Sequence, residues 1–191
     1  MKHLLRKKTF LGIAIVALLM GAGAAWSSVS SGAPGGVTAV VGGMHRSIGD
    51  CFYLPDGTQT FCSGVDVDMN LDVHGPGTGP ATGTFLAGTN GSTLSSRVRI
   101  TCMTVVGNRA VVGGFITEDT SRFDAVGDEQ LFYVIDNGGP GNAPLDKMSA
   151  REIYTPDQFT PGFPNNCGSP DATTGGYTDV RYGDVSIHAG L

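Results

Sequence analysis

Between residues 65 and 74 the chain alternates without exception: Val65, Val67, Met69, Leu71 and Val73 are apolar, while Asp66, Asp68, Asn70, Asp72 and His74 are polar. A period of two over ten residues predicts a β-strand with one buried and one wet face. The Gly/Pro stretch at 75–80 ends it, and 82–87 reads as a short return strand followed by an Asn-Gly turn at Asn90 and Gly91. Alternation resumes at 97–106, with Val98, Ile100 and Cys102 on one side and Arg97, Arg99 and Thr101 on the other. Gly107 and Asn108 make a tight turn into 110–117, so this pair is the clearest hairpin in the chain. Further on, 118–129 is polar and loop-like, 131–135 an apolar strand, 136–146 a Gly/Pro/Asn loop, 148–154 a strand, 155–177 a long loop and 178–188 a last strand.

Outside the first 25 residues no window holds helical periodicity for more than a turn, and each glycine would cost a helix about 1 kcal/mol. The expected fold is therefore all-β, an antiparallel β-sandwich or small up-and-down β-barrel of about eight strands, with an N-terminal signal helix. Residues 1–8 are basic, 9–20 apolar and 21–25 small, the order of a secretory signal peptide cleaved after Ala24 or Ala25. A retained anchor is the rival, but the uncharged run from Phe10 to Trp26 falls short of a hydrocarbon core about 30 Å thick. Lys7 and Lys8 stand where a twin-arginine signal needs arginines, which points to general secretion. Residues 26–47, rich in Ser, Gly and Ala, read as a flexible lead-in, and 48–191 as a single disulfide-stapled domain.

Cys51, Cys62, Cys102 and Cys167 all lie in the exported part, where an even count predicts two disulfides. Three pairings are possible. Cys51 and Cys62 flank a Pro-Asp-Gly turn with aromatics on both sides, which makes Cys51–Cys62 a local staple and leaves Cys102–Cys167. A metal site is the alternative, but it lacks any Cys-x-x-Cys spacing.

Charge narrows the function. Of 12 basic residues, Lys2, Arg6, Lys7 and Lys8 precede residue 26 and no acid does, which leaves 8 basic against 17 acidic groups in the exported part. That balance excludes an electrostatic nucleic-acid binder and disfavours anionic membranes after signal cleavage. Asp66, Asp68, Asn70 and Asp72 imitate the start of an EF-hand loop, but Leu71 stands where glycine is needed and Gly77 where the bidentate glutamate is needed. A second calcium candidate is the 136–146 loop, with Asp136, Asn137 and Asp146 as oxygen donors for Ca²⁺; its competing reading is a turn in which Asn and Asp bond their own backbone. Otherwise no cofactor is expected. No Gly-x-Ser-x-Gly elbow is present. His74 and His188 end strands and would meet as acid-base partners only if the first and last strands pair. Asn90-Gly91-Ser92 is a glycosylation sequon by letter.

Three segments together resemble a family of small secreted bacterial β-domains known as the post-COAP domain. They are VRITCMTVVGNRAVVGGFI at 98–116, LFYVIDNGGPGNAPLDKMS at 131–149 and GDVSIH at 183–188. The resemblance spans residues 65–191 and implies a secreted β-domain, with no catalytic residues transferred. The expectation is a non-enzymatic structural or interaction module with an extracellular protein partner. The alternatives are a β-barrel holding a small apolar ligand, or an enzyme working through Asp and His.

Overall fold

A computed structural model describes residues 38–89, 94–120, 124–138 and 144–188. The expected signal peptide and the Asn90 sequon lie outside the described residues. Twelve antiparallel strands form one sheet: β1 (Thr38–Arg46), β2 (Cys51–Tyr53), β3 (Gln59–Cys62), β4 (Val67–Gly75), β5 (Thr78–Thr89), β6 (Leu94–Val106), β7 (Arg109–Asp119), β8 (Glu129–Ile135), β9 (Lys147–Ser149), β10 (Glu152–Tyr154), β11 (Tyr177–Asp179) and β12 (Tyr182–His188). The ladder runs β12-β1-β4-β5-β6-β7-β8-β9-β11-β2-β3, with β10 also paired to β8.

The fold is all-β, as its alternation predicts, but twelve strands replace about eight. Two expected strands are each divided. The 148–154 stretch breaks at Ala150 into β9 and β10, which pair with opposite halves of β8. The 178–188 stretch breaks at Val180 into β11, which joins β9, and β12, which joins β1. The return strand is also longer than 82–87. β5 starts at Thr78 and absorbs its irregular residues as bulges at Pro80/Gly83 and Ala87/Gly88. Gly83 makes the first bulge possible, since a Cβ there would lie 2.0 Å from the Asp72 carbonyl oxygen.

The expected lead-in over 26–47 contains β1, which pairs with β12 on one side and β4 on the other. Val40 and Met44 point into the core. Gly42 lies between them because β12 passes so near that a Cβ would meet the Asp184 carbonyl at 2.7 Å. A glycine required by close packing thus gives the segment a linker's composition.

β4 buries Val67, Met69, Leu71 and Val73 and exposes the residues between them, as expected; Val65 lies before the strand and is exposed. One core gathers side chains from β1, β4, β5, β6, β7, β8, β9 and β12. Phe85 of β5 and Phe132 of β8 stand three strands apart in the ladder, yet their ring centroids are 3.9 Å apart. The sheet therefore coils around its own inner face. A second cluster lies on the outer face, where Cys102, Val111, Leu131 and Tyr133 meet Cys167, Tyr154, Phe163 and Tyr177 under the 155–176 loop. β8 is accordingly buried on both faces.

Cys102 departs from the expected pattern. A bulge between Ile100 and Cys102 shifts the register, so Val98, Ile100 and Met103 face the inner core while Cys102 turns outward to Cys167. Both disulfides form as expected, Cys51–Cys62 across the β2–β3 hairpin and Cys102–Cys167 between β6 and the covering loop. Such bonds belong to oxidising compartments.

Candidate functional site

Antiparallel register places residues from separate strands in rows across a face. On the outer face one row reads Arg109, Ile135, Lys147 and Asp179, from β7, β8, β9 and β11. The adjacent row brings Tyr177 of β11 opposite both Ser149 of β9 and Tyr53 of β2. These rows floor a groove of about 730 Å³, walled by the β2–β3 hairpin, the 171–173 stretch of the covering loop and Arg181. That volume lies in the range of small-ligand sites, about 300–1,000 Å³.

Polar groups in the groove are held from within. Asp171 accepts a hydrogen bond from Arg109 Nη1, and Asp179 Oδ1 accepts one from Lys147 Nζ at 2.8 Å. The Tyr177 hydroxyl donates to the Pro170 carbonyl at 3.3 Å, and burial raises its pKa. Tyr53 is 45% exposed and offers its ring to solvent. Arg181 is exposed on the link between β11 and β12. The chemistry available is aromatic stacking beside cationic hydrogen-bond donors. Sequence reading misses this site because its residues come from six segments and acquire a common direction only through register.

Buried carboxylates hold the loop above the second cluster. Glu152 Oε1 accepts from Thr173 Oγ1 at 2.8 Å, Thr174 N at 2.6 Å and Gly175 N at 3.0 Å. Its Oε2 accepts from the Tyr154 hydroxyl at 2.9 Å, and burial first, then Glu152, pushes that phenol up to about 12. Glu129 is fully buried; its Oε2 accepts from Thr160 N at 2.7 Å, while Oε1 has no partner. Burial outweighs the Thr160 bond and raises the Glu129 pKa. The folded chain then binds this proton more tightly than the unfolded one. The Glu129 contribution to stability is full below the ordinary glutamate pKa of about 4.3 and is lost as pH rises through the raised value. Glu129→Gln, neutral at every pH, is expected to flatten the fall in thermal midpoint between pH 5 and pH 8. An unchanged slope in parallel melts of the two proteins would contradict this.

The calcium candidates sit elsewhere and are engaged with backbone. Asp136 Oδ1 accepts from Gly138 N at 2.9 Å, and its Oδ2 from Ile187 N at 2.8 Å. Asp146 Oδ1 accepts from Asn137 N at 2.7 Å, and its Oδ2 from Val185 N at 3.0 Å. Asn137 accepts from Asn108 Nδ2 at 3.2 Å and donates to the Leu145 carbonyl at 2.7 Å. All four carboxylate oxygens therefore face N–H dipoles, whose positive ends would oppose a cation. Asp66, Asp68, Asn70 and Asp72 are strung along the outer side of β4 and its approach, where Asp66 accepts from Ile48 N and Asp68 from His45. Among the described residues no group of three or more His, Cys, Asp or Glu side chains is arranged to hold a metal ion.

His74 and His188 are neighbours at one remove. Both stand opposite Ala39, from the two sides of β1, so one strand separates them by about 10 Å. His74 Nε2 lies 2.8 Å from Asp72 Oδ1, and both histidines are exposed on the open outer face. The outer groove, not this pair, has the enclosure of a binding site. No protein family, curated protein or solved structure matches the chain.

Proposed function

We propose that this chain is an extracellular, non-enzymatic recognition domain, exported by general secretion and freed of residues 1–25, that takes its ligand in the groove over β7, β8, β9 and β11. The observation that carries this reading is the outer groove, in which Tyr53 lies beside Arg109, Lys147 and Arg181. Two disulfides support action outside the cell, and the likeness to secreted post-COAP domains points the same way. The rival reading, an apolar passenger inside the barrel, has little room. Phe85, Phe132, Leu71, Met103 and Ile116 occupy the interior.

The purified secreted protein is expected to bind saturably within a panel of extracellular polymers, glycans and peptides included. The double variant Tyr53→Ser/Arg181→Gln should abolish that binding with no change in melting midpoint, because both side chains are exposed. Binding that survives the double variant would overturn the assignment of the groove. An organic passenger on the untreated protein in native mass spectrometry would favour the barrel interior instead.

A further inference from the structure

We propose, resting on the reading of the groove as the binding site, that its ligand is an acidic polysaccharide of the uronic acid class. One sugar ring stacks on Tyr53, and ring carboxylates meet Arg181, Arg109 and Lys147.

Charge supplies the first argument. Eight basic residues lie beyond residue 25 in an acidic chain, and three of them line this one groove. Asp171 and Asp179 occupy one donor each of Arg109 and Lys147, which fixes those side chains and leaves further N–H groups free. With Arg181 added, the three cations outnumber the two carboxylates, so the groove attracts anions where the protein as a whole repels them.

Backbone pairing supplies the second argument, because it separates a glycan from an acidic peptide. An extended peptide is commonly read by adding a strand to a free sheet edge. The strands flooring the groove lie inside the ladder, β9 between β8 and β11 and β11 between β9 and β2, and the first of the three β11 residues, Tyr177, is already paired with Tyr53. What remains of that edge, Thr178 and Asp179, is too short for an added strand, so recognition here uses side chains and ring faces. A polymer of rigid rings, each with an apolar face and a carboxylate, matches a tyrosine beside a row of cations. Arg109 and Lys147 stand two strands apart in that row, about 10 Å, so successive contacts fall on separate rings.

The test is calorimetric titration of the whole secreted chain with oligomers of galacturonate, mannuronate and glucuronate. The controls are their methyl-esterified neutral forms and poly-glutamate. At least one uronate series is expected to bind, with affinity that falls as salt rises, at least tenfold weaker for the esterified form and for Arg181→Gln. Tyr53→Ser should weaken binding as well; melting midpoints unchanged from wild type certify that both variants are folded. Equal binding of the neutral esters would overturn the uronate proposal and leave the groove reading standing. Equal binding of poly-glutamate would replace the glycan with an acidic peptide. If no uronate binds while another polymer binds through Tyr53 and Arg181, the ligand class is wrong; if nothing binds, both readings fall.

Discussion

Replacing Cys102 and Cys167 together with alanine is expected to lower the unfolding free energy by about 4 kcal/mol. The bond joins residues 65 positions apart, so its removal returns the entropy of a long closed loop to the unfolded chain. Native contacts add to the effect. Both sulfurs are buried in the outer cluster, against Val111, Leu131 and Tyr133, and the bond pins the covering loop to β6. Phe159 and Phe163 of that loop also meet Phe115 of β7, with centroids 5.9 and 4.8 Å apart, so the loop keeps a second anchor. The variant should therefore stay folded under mild conditions but lose the loop first. Denaturant unfolding read by tyrosine fluorescence, alongside limited proteolysis within 155–176, measures both effects. The Cys51–Cys62 bond closes a span of only 11 residues, so the Cys51→Ala/Cys62→Ala variant should lose less. Equal losses from the two double variants would contradict both the loop-length argument and the added contribution of the outer cluster.

Loss of the loop bears on the proposed site, because Asp171 and Thr173 form one wall of the groove. A reduced protein should bind its ligand more weakly even where the inner sheet is intact. The inner sheet and the outer groove thus depend on different parts of the chain. The coiled sheet rests on apolar alternation, and the groove rests on a loop held by one disulfide, two buried glutamates and a cluster of phenylalanines.

That division explains what is legible in the sequence. β4 and the β6–β7 hairpin are written as local alternation and a two-residue turn, and both appear where that pattern puts them. The disulfides follow from cysteine count and one turn. β1 is hidden, because Gly42, required for the close approach of β12, looks like a linker residue. The outward turn of Cys102 is hidden as well, since a bulge changes facing without changing composition. The groove is least legible of all: Tyr53, Arg109, Lys147, Tyr177 and Arg181 carry no shared motif, and only the ladder aligns them. Asp136, Asn137 and Asp146 are conspicuous as loop oxygens, but one oxygen each of Asp136 and Asp146 is bound by an amide of β12, 51 and 39 residues away, and the Asn137 oxygen accepts from Asn108.

Those aspartates close the coil. β12 pairs with β1 along one edge, and its other edge would leave amides unsatisfied beside the end of β8. Asp146 and Asp136, at the two ends of the β8–β9 loop, accept from Val185 N and Ile187 N, while Val180 N donates to the Asp146 carbonyl at 2.8 Å. Two carboxylates thus do at the seam what a strand ladder does elsewhere. Asp146→Asn is expected to cost about 1–3 kcal/mol, because an amide has one acceptor oxygen and its NH₂ must face an N–H donor at a buried position. Asp136→Asn should cost less, since Asp136 is only partly buried and one of its bonds, to Gly138 N, is exposed. Acidification should act differently from the Asn substitution. Burial leads in raising the Asp146 pKa despite the two N–H bonds, so its contribution to stability is greatest in acid and is lost as pH rises through the raised value. A protonated carboxyl still has lone pairs on both oxygens, and an amide nitrogen has none. Hydrogen exchange at Val185 and Ile187 is the direct reading: slow at pH 5 in the wild type after correction for intrinsic rates, and accelerated relative to the β6–β7 amides in Asp146→Asn. Exchange that opens in acid but not in Asp146→Asn would mean that charge, not the number of acceptors, holds the seam.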